Sequence, residues 1–171
     1  MSETTEGLNP DERAEADRQA VAEVIEKAHI AIVTTVDEDG SLVSRPLGLQ
    51  QRDFDGDLYF FTPDPSDKSV QVRRNPQVNI AIESHGNYLS VAGTGTITKD
   101  QALIDEFWNR HVEAWFDGGR DDPAVALLKV QARSAELQSV ESPRVVAAVK
   151  YAKAAVTKGH PELGDTTRVE F

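Results

Sequence analysis

Cysteine is absent from all 171 residues, which excludes a disulfide framework, a thiol nucleophile and a thiolate metal site. Long apolar runs are missing too. Nothing approaches the ~20 consecutive apolar residues a membrane-spanning helix needs, and the N-terminus lacks the basic-then-apolar pattern of a secretory signal. A soluble, cytoplasmic protein is the expectation. Positive charge is scarce: 18 Lys and Arg face 29 Asp and Glu, a formal net charge of −11. Such a surface repels nucleic-acid phosphates and anionic lipid unless the basic groups cluster, so neither nucleic acid nor a membrane is expected as a partner. Part of the acidic excess lies in Glu3 to Asp17 and reads as a solvated helix face or a frayed end.

There is also no internal repeat, low-complexity tract or linker, and this length suits a single domain. The four histidines, His29, His85, His111 and His160, show none of the helical i, i+4 spacing of a metal pair. They read as surface or turn residues, and no metal is expected.

What is present is a series of short, punctuated elements. Asn9 as cap and Pro10 in the first turn open an amphipathic helix to about residue 28, with Ala14, Val21, Val24, Ile25 and Ala28 at three- and four-residue spacing. His29 to Val36 alternates as a strand, with Ile30, Ile32, Thr34 and Val36 on one face. The turn Asp37-Glu38-Asp39-Gly40 makes a hairpin into Ser41 to Gln50. Further turns at 53–57 and 84–87 bound strands at Leu58 to Thr62, Val78 to Glu83 and Tyr88 to Thr98.

Between them, Pro65 to Arg74 has helical spacing and ends before Pro76. Asp100 caps a helix to Asn109 with Phe107 and Trp108 on its apolar side, and Pro123 to Val140 is the last long strand candidate. Pro143 to Val156 reads as a closing helix, and the polar chain after Gly159 is expected to fray. Turns this short cannot hold parallel crossovers, which points to a mainly β, antiparallel barrel, about 29–140, with peripheral helices.

Within that frame, Ser44, Arg45, Thr62, Ser66 and Lys68 fall at the ends of two strands and the start of a short helix. A guanidinium fork, an ammonium, hydroxyls and the N–H groups of a helix start together suit a phosphate monoester. On composition alone, Arg45 and Lys68 would be surface cations paired with the abundant carboxylates. The order of the residues favours the anion site.

That order resembles the pyridoxamine 5′-phosphate oxidase-like flavoproteins, and more closely their general stress protein branch, from about Ala28 to Leu137. It rests on Ser44-Arg45-Pro46-Leu47, on Leu58-Tyr59-Phe60-Phe61-Thr62, on Ser66-Asp67-Lys68 and on Asn75-Pro76-Gln77-Val78. The resemblance implies an FMN-binding split β-barrel in which Ser44, Arg45, Pro46, Leu47, Phe61, Thr62, Ser66 and Lys68 hold the cofactor, chiefly its phosphate and ribityl chain. Tyr88 with Gly93-Thr94-Gly95 resembles the strand at the dimer contact. Trp115-Phe116-Asp117-Gly118-Gly119 resembles a loop near the flavin across that contact, which adds Trp115 to the site.

Two departures bear on the ring contacts: Asp117 stands where the branch has proline, and Leu137-Gln138 where it has an aromatic pair. The arginine-rich substrate signature of the true oxidases is missing from Ala132 to Glu136, which argues against vitamin B6 oxidation.

The resemblance implies a homodimer with cofactor sites at its interface and a small-molecule substrate. Three functions follow from it. One is an FMN-dependent oxidoreductase working between a nicotinamide cofactor and a small organic acceptor. The second is a relative using a deazaflavin, whose oligoglutamate tail would meet Lys68, Arg73 and Arg74, and FAD is a further candidate. The third is a flavin-storing or flavin-sensing stress protein. No residue is assigned a catalytic role, because the flavin ring itself carries the redox chemistry.

Overall fold

The computed structural model describes residues 9–139 and 166–171. Helix α1 (Pro10–Lys27) begins in a capping box: the Asn9 side chain accepts from the backbone N–H groups of Asp11 and Glu12, and Glu12 returns a bond to the Asn9 N–H. Val21, Val24 and Ile25 form its buried stripe. Strands β1 (Ile30–Val36) and β2 (Leu42–Gly48) follow as a hairpin, in which Gly40 takes the positive φ of 85° that the turn requires. Strand β3 (Asp57–Pro63) leads through a cis Asp64–Pro65 bond into helix α2 (Asp67–Arg74), capped by Ser66.

Strands β4 (Gln77–Ser84) and β5 (Asn87–Thr98) form a second hairpin. The helix expected to reach Asn109 ends earlier, as α3 (Gln101–Phe107). There the side chain of Asn109 caps a separate single turn, α4 (Arg110–Glu113), by accepting from the N–H groups of His111 and Val112. The long strand β6 (Val125–Ser139) completes the main sheet.

All pairings are antiparallel, in the order β2-β1-β4-β5-β6-β3. Within the tail expected to fray, residues 166–170 instead form β7 (Thr166–Glu170), which pairs with the C-terminal half of β6. Strand β3 covers β6 only from Val125 to Gln131, which leaves the edge beyond it to β7. Val169 is buried there, Arg168 pairs with Glu136 at 2.9 Å, and the ring of Phe171 meets Phe54 edge-on. The closing helix expected at Pro143 to Val156 lies outside the described residues.

The main core runs through the inward residues of the sheet, among them Val33, Leu58, Phe60, Ile80, Val91, Leu128 and Val130. A bulge between Ala92 and Gly93 brings β5 so close to β6 that a Cβ on Gly93 would stand 2.6 Å from the Gln131 carbonyl oxygen. A smaller cluster joins Tyr59, Val125 and Leu127 to Ile104, Phe107, Val112 and Phe116, and so anchors α3 and α4.

The alternation in β1 runs opposite to simple core packing. Ala31, Val33 and Thr35 face inward, while the more apolar Ile30 and Ile32 face outward. Among the described residues no helix is long and apolar enough to cross a membrane.

Candidate functional site in the split of the sheet

The sheet does not close. Its two end strands, β2 and β3, meet at the Leu49–Phe60 bridge, supported by the Gln50 N–H donating to the Tyr59 carbonyl at 3.0 Å. Above that point they part around a cleft of about 950 Å³. Pro46 and Leu47 from β2, Phe61 and Pro63 from β3, and Lys68 from α2 line one part. Phe107, Trp108, His111 and Trp115, from α3, α4 and the residues that follow them, line it as well, as does His29 just before β1. A mostly apolar cleft with a few polar groups has the character of a small-molecule site.

Five of the nine residues expected from the sequence line this cleft: Pro46, Leu47, Phe61, Lys68 and Trp115. The others lie next to it. Ser44 is on the outward face of β2, with its hydroxyl 2.7 Å from that of Thr34. Arg45, one residue on, points the other way and reaches under α2, as strand alternation demands. Its Nη1 donates to Thr35 Oγ1 at 2.6 Å and its Nη2 to Gln71 Oε1 at 3.1 Å. Thr62 is fully buried, donating to the Pro63 carbonyl at 3.1 Å with Ser66 Oγ 3.3 Å away. Ser66 caps α2 by accepting from the Ser69 N–H at 3.3 Å.

The electrostatics of this corner are unusual for so acidic a chain. Arg45 and Lys68 are each partly buried, and neither makes an ion pair with a carboxylate among the described residues. Burial lowers the pKa of Lys68, and the neighbouring Arg45 charge lowers it further. Burial likewise lowers that of Arg45, against the opposing pull of Asp67 and Asp37. Two adjacent cations beside the first turn of α2 make a positive corner suited to a phosphate or another compact anion.

Sequence reasoning missed the buried polar layer beneath α2. Thr35 and Gln71, both buried, hydrogen-bond to each other at 2.6 Å and orient Arg45. A polar Gln71 between Val70 and Val72 on a short helix was the available signal. Asp64, also buried, accepts two bonds from Arg73 and lies 3.3 Å from Lys99. These contacts lock α2 against the end of β3.

Trp115 is 83% exposed at the rim, whereas Phe116 is buried against Phe61 and Trp108. Tyr88 and Ser90 face outward on β5, while Leu89 and Val91 face the core.

Comparison with known proteins places these features in context. A family model described as pyridoxamine 5′-phosphate oxidase like matches residues 16–162. Protein bli-3 of Neurospora crassa is 30% identical over 143 residues, spanning 77% of this chain and 68% of that protein. Among solved structures, a general stress protein 26 from Jannaschia sp. CCS1 superposes with a TM-score of 0.69 at 28% identity, covering 91% of this chain and 99% of the other. A general stress FMN/FAD binding protein from Xanthomonas citri gives 0.66 at 27% identity, covering 75% and 92%.

Proposed function

The chain belongs to the pyridoxamine 5′-phosphate oxidase-like family, and on that premise we propose that it binds FMN in the split of its sheet and acts as a flavin-dependent oxidoreductase. The observation that carries this reading is the pair Arg45 and Lys68, two adjacent, partly buried cations that form no ion pair among the described residues. Their chemistry fits a phosphate, and the cleft beside them is apolar enough for a flat ring. The Xanthomonas citri relative, named as an FMN/FAD binding protein, supports the same assignment.

In this reading Lys68 and Arg45 hold the phosphate, and the α2 start adds its partial positive charge. Phe61, Trp108 and Trp115 bound the space for the ring and keep water from it. The flavin, when bound, supplies hydride or electron transfer. A deazaflavin with an oligoglutamate tail is the poorer fit, because Arg73 is committed to Asp64 and Arg74 lies 3.4 Å from Glu38.

The reading includes a homodimer. Ile30, Ile32, Leu42 and Tyr88 are exposed on the outward face of the sheet, and Ile30 also lines the cleft, so a second copy would cover apolar surface and wall the site at once.

Titration of the purified chain with FMN, followed by absorbance and flavin fluorescence, tests the assignment. Saturable binding is expected, with affinity falling about tenfold or more for Arg45→Ala or Lys68→Ala. A wild-type chain that takes up no FMN would overturn the flavin reading, and unchanged affinity in an Arg45→Ala/Lys68→Ala double variant would overturn the phosphate placement. Rapid reduction of the bound flavin by a nicotinamide cofactor and reoxidation by an acceptor would mark an oxidoreductase. Without them, storage or sensing is the better account. Sedimentation as a monomer at micromolar concentration would reject the dimer.

A further inference from the structure

The two edges of the split stand in a fixed register. In β2, Leu49 donates to the His29 carbonyl while Gln50 donates to that of Tyr59. Odd-numbered residues of β2 therefore direct their backbone groups to β1 and even-numbered ones to the split. In β3, Asp64 donates to the Ala124 carbonyl beside β6, so the odd-numbered residues of β3 face the split. The Leu49–Phe60 bridge fixes the register between the two edges. Carried three residues further along each strand, that register sets Pro46 opposite Pro63, at a position where both N–H groups would be needed to continue the ladder.

Neither residue has one. The next facing pair in the same register, Ser44 and Pro65, lacks one of its two donors as well. Pro46 and Pro63 both line the cleft, whose lining continues along β2 to Leu49 and Gln50 at the bridge.

We propose that Pro46 and Pro63 keep the barrel open and thereby create the ligand cleft: they are positioning residues that prevent the β2 and β3 edges from zipping together. Without them the exposed backbone groups of two neighbouring antiparallel edges would satisfy one another, as edge strands tend to do. With them the two edges stay apart, and apolar side chains such as Leu47 and Phe61 are left facing usable space. Its connection to function rests on the reading of the cleft as a flavin site; its connection to architecture does not.

The test is the Pro46→Val/Pro63→Val double variant of the full chain, with each single variant alongside in case the double one fails to fold. In the ligand-free protein, the new amides at positions 46 and 63 are expected to be protected from hydrogen exchange. Melting should rise by about 2–6 °C through the restored ladder bonds. FMN affinity should fall about tenfold or more as the cleft narrows. Unprotected exchange at the new amides would overturn the proposal, as would protection accompanied by wild-type FMN affinity. In the wild-type chain, the Ser44 amide should exchange freely before ligand is added, and strong protection there would also count against it. If the wild-type chain binds no FMN, the flavin reading fails alone, since the exchange and melting data still decide what holds the split open.

Discussion

Arg73 grips Asp64 through two parallel hydrogen bonds, Nη1 to Oδ1 at 2.6 Å and Nη2 to Oδ2 at 2.7 Å. This fork joins the last turn of α2 to the chain just beyond β3 and holds the Asp64 carboxyl well below the usual carboxylate range. A depressed folded-state pKa stabilises the fold above the ordinary value of 3.8, and that contribution is lost as the pH falls below it. Asp64→Asn should cost about 2–3 kcal/mol near neutral pH, because it leaves two cations facing a neutral amide. Thermal melts from about pH 5 down to pH 2 should show a shallower acid decline in the variant than in the wild-type chain.

Gln71 bears on both folding and binding. Its carbonyl oxygen serves both Thr35 and Arg45. Gln71→Glu places a carboxylate beside Arg45 and close to Lys68, which should raise the pKa of Lys68 and leave the ligand-free fold intact. The same carboxylate competes with a phosphate, so FMN affinity should fall about tenfold or more. Calorimetric titration of the two proteins at equal salt checks this. Gln71→Leu, by contrast, should cost about 1–3 kcal/mol of stability, since Thr35 and Arg45 lose their acceptor.

Lys68 carries its charge against the preference of its surroundings, since burial and Arg45 both lower its pKa. Lys68→Met should therefore raise the ligand-free melting temperature slightly, by the equivalent of less than about 1 kcal/mol, while weakening FMN binding. A variant that loses both stability and affinity would show that Lys68 is a structural residue.

Neighbouring aromatic residues in the α4 loop should part company in the same assay. Trp115→Ala removes an exposed ring and should change stability by no more than about 0.5 kcal/mol, while altering the quenching or affinity of bound flavin. Phe116→Ala empties a site packed against Phe61 and Trp108, and should cost about 3–5 kcal/mol in denaturant unfolding.

The local features of the fold were legible in the sequence because their causes are local. The Asn9 cap, the Gly40 turn and the Ser66 cap are each set within four residues of chain. The candidate site was legible as an ordered string of residues, and the structure brings Arg45 and Lys68 to one corner. Strand alternation already implied that Ser44 and Arg45 face opposite ways, but not which of them turns inward to Thr35 and Gln71, because both are polar and neither face of β2 is strongly apolar.

The partners of Arg45 and the ion pairs of Asp64 join residues nine to thirty-six positions apart, where spacing carries no signal. Strand β7 escaped notice because a single buried valine in five polar-flanked residues makes no visible alternation. The outward-facing Ile30 and Ile32 show why apolarity alone cannot identify a core face: the inward positions of β1 instead carry Ala31, Val33 and the hydrogen-bonding Thr35.

Strand β6 shapes how the molecule comes into being. It pairs with β5 on one side and with β3 and then β7 on the other, so the partners of Asp57 to Pro63 lie at Val125 to Gln131. During synthesis β3 must wait for more than a third of the chain before it finds its neighbour. Until β6 leaves the ribosome, the hairpins β1–β2 and β4–β5 can form, but β3, with no strand partner beyond its one bridge to Leu49, remains an apolar strand with Tyr59, Phe60 and Phe61 uncovered. Nascent chains stalled before Val125 should thus be the ones most prone to aggregate or to recruit a chaperone, and release should follow the emergence of that one strand.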